Sequence, residues 1–253
     1  MTRWIGTNTD IHEQKQVEKQ KDQFINIASH ELKTPLTSVK AYVQLAHNLL
    51  SNQNGERVKS EQSLILENYL YNASRAVDKL DKLIYTLLDV GQIENAKIEF
   101  RWELIDIDNF TCEIVQHFLL IAPHHILVCE GYTGQVILGD RLRLEQVLNN
   151  LLSNAVKYSP KGKKVKVLLQ AGDRAFVSIS IRDEGIGIPA DKLNRVFDRF
   201  YKVNNDSSST GLGLGLFISR EIILSHQGKI WADSVPGEGT TIQLTLPVWQ
   251  ATD

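Results

Sequence analysis

"LENYLYNASRAVDKLDKLIYTL", residues 66–87, decides how this chain begins to fold. Leu66, Leu70, Ala73, Val77, Leu80, Ile84 and Leu87 recur by fours and threes without a slip. That spacing sets the apolar side chains along one seam of a helix, the a/d heptad pattern of left-handed helical pairs and bundles. Upstream, from about residue 10 to 50, another helix carries nearly the same seam: Ala28, Leu32, Leu36, Val39, Val43, Ala46 and Leu50. The polar, turn-prone "SNQNGER" at 51–57 separates the two. Two antiparallel helices cover such seams poorly, whereas two copies of the hairpin form a four-helix bundle that buries both. A homodimer is therefore expected.

The one irregular step in the first seam, two fours in a row from Ala28 to Leu36, brackets Pro35 in "SHELKTP" at 29–35. Proline inside a helix costs roughly 3 kcal/mol and deletes one backbone hydrogen bond, here the one to the carbonyl of Glu31. His30 sits two residues from both Ala28 and Leu32, so at 100° per residue it points about 160° away from the seam, into solvent. A lone histidine there is ordinary solvated surface. Its neighbours give it a second reading. Glu31 is adjacent, Thr34 lies one turn on along the same face, and Pro35 bends the helix. An exposed imidazole beside a carboxylate has the makings of a nucleophile whose second ring nitrogen is held and deprotonated by the acid.

Composition narrows the classes. At 253 residues the chain fits one or two domains, with 42% hydrophobic and 23% charged residues, as in ordinary globular proteins. A net charge of −2 gives no reason to expect nucleic acid or an anionic membrane as a partner. Cys112 and Cys129 have neither metal-ligand nor redox spacing and read as core residues in a reducing compartment. The longest apolar runs, such as "HFLLIAP", are too short to span a bilayer, and no signal peptide opens the chain. A soluble, cytoplasmic chain without membrane contact is expected.

Near residue 91 the heptad stops, and "GQIENAKIEFRWE" passes into mixed strand and helix. "QVILGD" and "KVKVLLQ" read as strands with a helix from Arg141 to Tyr158 between them. "AFVSISIRD" alternates, with Val177, Ile179 and Ile181 on one face against Ser178, Ser180 and Arg182 on the other. A short helix near 190–200, the polar loop "KVNNDSSST", a helix after Gly213, and strands near 229–233 and 240–246 complete one layered α/β domain.

Three stretches of this half could carry chemistry. Asn150, Asn154 and Lys157 form a polar stripe beside the apolar seam Leu144, Leu148, Leu151 and Ala155. Such a stripe commonly just faces solvent, yet two asparagines are poor helix formers whose carbonyl oxygens suit Mg²⁺, next to a lysine that suits phosphate. "DEGIGIP" at 183–189 puts an acid directly after a strand and before a glycine turn that permits close backbone approach. "TGLGLGL" at 210–216 puts glycines at a helix start, where N–H groups can meet phosphates. It is neither a G-x-G-x-x-G dinucleotide fingerprint nor a P-loop, and no serine/threonine kinase signature is present.

In order, "SHELKTPL", "NNLLSNAVKYSP", "DEGIGIP", "FDRFYK" and "TGLGLGL" resemble the phosphoacceptor, asparagine, first glycine, phenylalanine and second glycine boxes of two-component sensor histidine kinases. The resemblance implies an α + α/β chain: a helical-hairpin dimerisation and histidine-phosphotransfer domain at 21–92, then a Bergerat-type α/β sandwich that binds ATP at 98–250. It implies that His30 accepts the γ-phosphoryl group, Glu31 orients the imidazole and takes its proton, and Thr34 supports dephosphorylation of the partner. Asn154 would hold Mg²⁺, with Asn150 and Lys157 near the phosphates and Tyr158 on the nucleotide. Asp183 would accept a hydrogen bond from the adenine amino group, favouring ATP over GTP. Gly185, Gly187, Gly211, Gly213 and Gly215 would shape the pocket, with 202–210 as its flexible lid, and Pro35 would let the nucleotide domain swing to His30 and away.

Residues 1–20, with "RWIGTNTDIHEQK" from Arg3, resemble the end of a PAS sensor domain and its linker helix, which implies an upstream sensor domain. No receiver domain follows, so a separate response regulator would take the phosphoryl group. "GEGTTIQLTLP" departs from the family in Ile242, where an aromatic residue is more usual, a change that concerns packing. Two rivals remain: an ATPase of the chaperone and topoisomerase type, whose catalytic glutamate position reads Asn150 here, and a catalytically silent dimeric scaffold.

Overall fold

A computed structural model of the chain describes residues 12–51, 60–94, 99–160, 163–172, 175–203 and 211–250, with side chains in the first two helices described over 25–51 and 62–93. The chain divides into two compact units, Met1–Leu88 and Asp89–Asp253. The PAS-like stretch up to residue 11, the 52–59 connection and residues 204–210 of the expected lid lie outside the described residues.

The first unit is a helical hairpin of α1 (His12–Ser51) and α2, which runs Ser60–Glu94 and enters the second unit at its end. Tyr42 and Tyr69 meet across the hairpin with ring centroids 6.3 Å apart. Each seam splits into two halves. Ala28, Ala46 and Ala73 are buried within the hairpin, whereas Leu36, Val43 and Leu50 on α1 and Leu70, Val77 and Ile84 on α2 remain 41–58% exposed. Both exposed sets repeat every seven residues, so each helix turns one heptad position inward and leaves the other bare. α1 runs through Pro35 without interruption, and Pro35 itself is buried.

The second unit is built on a five-stranded sheet of order β2-β4-β5-β7-β6 and a separate β1-β3 pair. The strands are β1 (Glu103–Asp106), β2 (Ile126–Glu130), β3 (Val136–Gly139), β4 (Lys164–Ala171), β5 (Phe176–Asp183), β6 (Lys229–Val235) and β7 (Gly239–Pro247). Only β2 and β4 are parallel in the large sheet; the other neighbours are antiparallel. The helices are α3 (Ile107–Ile121), α4 (Arg141–Tyr158), α5 (Ala190–Leu193) and α6 (Gly215–Ser225). α5 is shorter than the helix expected over 190–200, because the chain passes into turns after Leu193.

Alternation makes the two layers. Val165, Val167 and Leu169 of β4, Val177, Ile179 and Ile181 of β5, and Ile242, Leu244 and Leu246 of β7 are buried. Leu144, Val147 and Leu148 of α4 and Ile223 of α6 line the same apolar space as Ile179 and Leu244. Burial of such side chains at roughly 25 cal/mol per Å² is the main stabilising term. Ile242 serves this core, with its Cα opposite Ile181 and Ala232. At the start of the unit, the Asp89 carboxylate accepts from Arg143 Nη1 and from Gln146 Nε2, each at 2.6 Å. Val90 beside it is fully buried.

The cysteines do not pack in the core as expected from sequence. Both are only half-buried, because β2 is the edge strand of the sheet and leaves its α3 contact partly open.

α4, which carries the asparagine stripe, is fixed at its start by Asp140. One carboxylate oxygen accepts from Arg143 N–H at 3.0 Å and the other from Arg101 N–H at 2.8 Å. The Asp140 N–H donates to Nε2 of buried His226 at 2.9 Å, so the His226 proton sits on Nδ1 and donates to the Ile222 carbonyl at 2.8 Å. This neutral ring ties the end of α6 to the start of α4. Burial holds the His226 pKa below its ordinary value, against the opposing pull of Ile222 and Asp140. The unfolded chain therefore binds the proton more readily than the folded one. The stability from neutral His226 is complete above about pH 6.5, the unperturbed histidine value, and is lost as pH falls below it. Urea midpoints of the wild type should drop on acidification through this range, and His226→Gln should flatten the slope. Equal slopes in the two proteins would show that His226 does not govern it.

Candidate functional site

His30 lies on the described part of α1 with its ring exposed, and Glu31 beside it is half-buried. The Thr34 hydroxyl donates to the His30 carbonyl at 3.2 Å. Thr37 and Ser38 likewise donate to the carbonyls of Lys33 and Thr34, at 2.8 and 3.2 Å. These hydroxyl bonds clothe the turns around Pro35, where one backbone donor is missing. His30, Glu31 and Thr34 thus share one stretch of the first unit; the remaining candidates belong to the second.

There Asp183, at the end of β5, is buried. Its Oδ1 accepts from the N–H of Gly185 at 2.8 Å and of Thr240 at 3.2 Å. Among the described residues Oδ2 takes no hydrogen bond. Burial raises the Asp183 pKa, and the two backbone donors oppose that rise. The result is a fixed carboxylate with one oxygen spent on the backbone and the other left to recognise a donor.

The turn after Asp183 is pressed between two neighbours. On one side Ile186 N–H donates to the Tyr158 carbonyl at 3.3 Å, and a Cβ at Gly185 would lie 2.5 Å from that same oxygen. On the other side Gly187, at φ +69°, leaves room for the Val235 carbonyl, which a Cβ would meet at 2.1 Å. Ile188 N–H donates to Ser234 Oγ at 2.8 Å, and Ser234 Oγ lies 2.9 Å from Thr240 Oγ1. Ser234, Gly239 and Thr240 are site-building residues that sequence analysis missed. The glycine pair in "GEGTT" was the available signal, but it announces a hairpin rather than contact with a carboxylate over fifty residues away.

The asparagine stripe separates into roles. Asn150 Nδ2 donates to the buried Ser219 hydroxyl of α6 at 2.9 Å. A Cβ at Gly215 would lie 2.3 Å from Asn150 Oδ1, so the glycine lets α6 approach α4. Asn150 is therefore engaged in joining two helices. Asn154, one turn on, is half-buried and makes no side-chain hydrogen bond among the described residues. Lys157 Nζ lies 4.9 Å from the Tyr158 ring centroid at the exposed end of α4.

Of the remaining glycines, Gly213 sits against the backbone of Phe200 and Tyr201, whereas a Cβ at Gly211 would meet nothing within 4 Å among the described residues. Among the described residues no side chain caps the start of α6, where N–H groups of a helix's first turn can receive an anion. Arg199 lies over the rings of both Phe200 and Phe217, at 5.1 and 5.6 Å, and joins the "FDRFYK" turn to α6.

These features fit a purine nucleotide with its metal. Asp183 Oδ2 matches an exocyclic amino donor, and the uncapped start of α6 matches phosphate. Among the described residues no group of three His, Cys, Asp or Glu could hold a metal alone. The free carbonyl of Asn154 suits instead an ion that keeps waters and phosphate oxygens as its other ligands, as Mg²⁺ does.

Comparison with known proteins agrees. Residues 20–96 match the His Kinase A (phospho-acceptor) domain, and residues 139–250 match the histidine kinase-, DNA gyrase B-, and HSP90-like ATPase. The sensor histidine kinase WalK of Bacillus subtilis is 33% identical over 249 residues, 96% of this chain; the chain spans 39% of that relative's length. The solved mycobacterial sensor histidine kinase MprB is 29% identical with a TM-score of 0.53, covering 58% of this chain and 98% of that one. Full-length ShkA, solved in complex with AMPPNP, is 25% identical with a TM-score of 0.63, covering 92% of this chain and 47% of its own. The ATPase match alone would admit gyrase-like and chaperone-like enzymes, but the phospho-acceptor match upstream of it does not. The chain belongs to the two-component sensor histidine kinases and carries their catalytic core.

Proposed function

We propose that this chain transfers the γ-phosphoryl group of ATP to His30 and passes it on to an aspartate of a separate response regulator. The observation that carries the proposal is Asp183: a buried carboxylate with one oxygen spent on the backbone and one left for a base, in a chain that also presents an exposed histidine beside an acid. Asp183 Oδ2 accepts from the adenine amino group. Asn154, Lys157 and the first N–H groups of α6 receive the phosphates, with Tyr158 against the nucleotide and Asn150 holding α6 in place. Mg²⁺, when bound, neutralises charge on the phosphates and aligns the γ-phosphorus. One ring nitrogen of His30 forms the N–P bond as the bond from phosphorus to the ADP oxygen breaks. Glu31 takes the proton from the other ring nitrogen, so the product imidazole stays neutral. The protein supplies chiefly position and electrostatics, which phosphoryl transfer mainly needs.

Thr34 lies one turn from His30 on the same face and orients the water that dephosphorylates the regulator. The working form is a homodimer downstream of a sensor domain and acts in the cytoplasm, where ATP and the regulator are found. Among the described residues no helix is long and apolar enough to cross a membrane.

γ-Labelled ATP with Mg²⁺ tests the transfer. The wild type should acquire acid-labile, alkali-stable label, whereas His30→Gln should acquire none while still binding ATP. Label on His30→Gln equal to wild type would remove His30 from the reaction. Free phosphate without labelled protein would favour a simple ATPase.

The bare heptad positions carry the dimer. Sedimentation should show a dimer at micromolar concentration. Val77→Glu, which buries an unpaired charge twice per dimer, should weaken association roughly 100-fold or more, since such burial costs several kcal/mol. A wild-type monomer under these conditions would refute the bundle.

A further inference from the structure

Cys112 on α3 and Cys129 on edge strand β2 have no part in the proposed phosphotransfer. Their Sγ atoms lie 3.6 Å apart, although the residues are 17 apart in the chain. Both thiols are free and partly exposed. Each stands on a fixed element. α3 begins at Asp106, whose carboxylate caps the N–H groups of Asp108 and Asn109. Asp108 in turn accepts from the Thr133 N–H and hydroxyl and from the Gly134 N–H, in the loop that follows β2. β2 is held by its parallel pairing with β4, where Cys129 lies opposite Val167. The fold itself therefore keeps the two sulfurs in contact.

We propose that Cys112 and Cys129 form a reversible disulfide within one chain when a peroxide oxidises the protein. One of the two sulfurs, as thiolate, attacks one peroxide oxygen, the O–O bond breaks, and that cysteine becomes a sulfenic acid while the displaced hydroxide takes the proton the thiol gave up and leaves as water. The other cysteine's sulfur then attacks the oxidised sulfur, the S–O bond breaks, and the hydroxyl departs with the second thiol's proton as a second water. Two thiols lose two electrons and the peroxide gains them. Burial, and after it the neighbouring Cys112 and Asp108, pushes the Cys129 pKa up to about 12. The product is the same whichever of the two sulfurs meets the oxidant first. Closure to the S–S distance of about 2.05 Å requires rotation of both side chains toward each other. A disulfide here joins helix to edge strand in the same layer contact that seats α3, and it constrains the unfolded chain as well.

Peptide mapping of the whole chain decides the matter. Reduced protein is treated with hydrogen peroxide at low molar excess, blocked with iodoacetamide and digested. The expected product is one linked pair of peptides containing Cys112 and Cys129, lighter by two hydrogens, on a protein that gains no size on a non-reducing gel. Alkylation of both thiols should slow by about tenfold or more once oxidised, and dithiothreitol should restore it. The melting temperature should rise on oxidation and fall back on reduction. Cys112→Ser should leave Cys129 alkylatable after the same dose. Sulfinic or sulfonic acid without a link, a link between chains, or unchanged alkylation would each overturn the proposal. The wild-type map suffices even if a variant folds poorly.

Discussion

Asp183→Asn is expected to weaken ATP binding about 10–100-fold and to raise the relative acceptance of GTP. The reason lies in how the two carboxylate oxygens are divided. Oδ1 faces the N–H groups of Gly185 and Thr240, so the oxygen of a substituted amide keeps that position. The amide nitrogen then occupies the place of Oδ2 and turns an acceptor into a donor. Adenine presents an amino donor there and loses its bond, while guanine presents a carbonyl and gains one. Competition titrations with ATP and GTP check both halves of the expectation. A melt confirms that the variant is folded, which its retained backbone bonds should ensure. Unchanged ATP affinity in a folded variant would mean that Asp183 does not read the base.

Gly239→Ala should cost about 4 kcal/mol and lower the melting temperature by roughly 8–16 °C for a chain of this size. Two penalties act together. Gly239 holds φ at +107°, outside the region open to residues with a side chain, and an added Cβ would lie 2.0 Å from the Asp183 carbonyl oxygen. That obstacle is backbone, not a side chain that could rotate away. Relief would have to move β7 off the end of β5, taking the Thr240 N–H from Asp183 with it. Nucleotide affinity should fall along with stability. Calorimetry gives the first number and nucleotide titration below the melting point the second. A change under about 2 °C would show that the hairpin yields easily.

Much of this architecture was legible because periodicity is local. The heptad through α2 needs only the spacing of seven apolar residues, and Arg141–Tyr158 is marked by its apolar seam; that Asp140 caps it shows in the structure. β5 shows plainly in its alternation. By contrast, β1, α3 and β2 do not separate in the sequence, since short strands beside an almost wholly apolar helix give no distinct period. The expected helix at 190–200 shrank to Ala190–Leu193 for the opposite reason: tertiary turns replaced a local tendency.

By itself the sequence determined the two-part plan, the heptad seams that ask for a second copy, and the order of the boxes that carry His30, Asn154, Asp183 and the glycines. Each of those is written in neighbours along the chain. Only the tertiary structure decided that Asn150 binds Ser219, that Ser234, Gly239 and Thr240 complete the setting of Asp183, that His226 caps two helices at once, and that Cys112 meets Cys129. Those partners are set by strand order and by helix-on-sheet packing, which bring together residues whose types, read one by one along the chain, say nothing about each other.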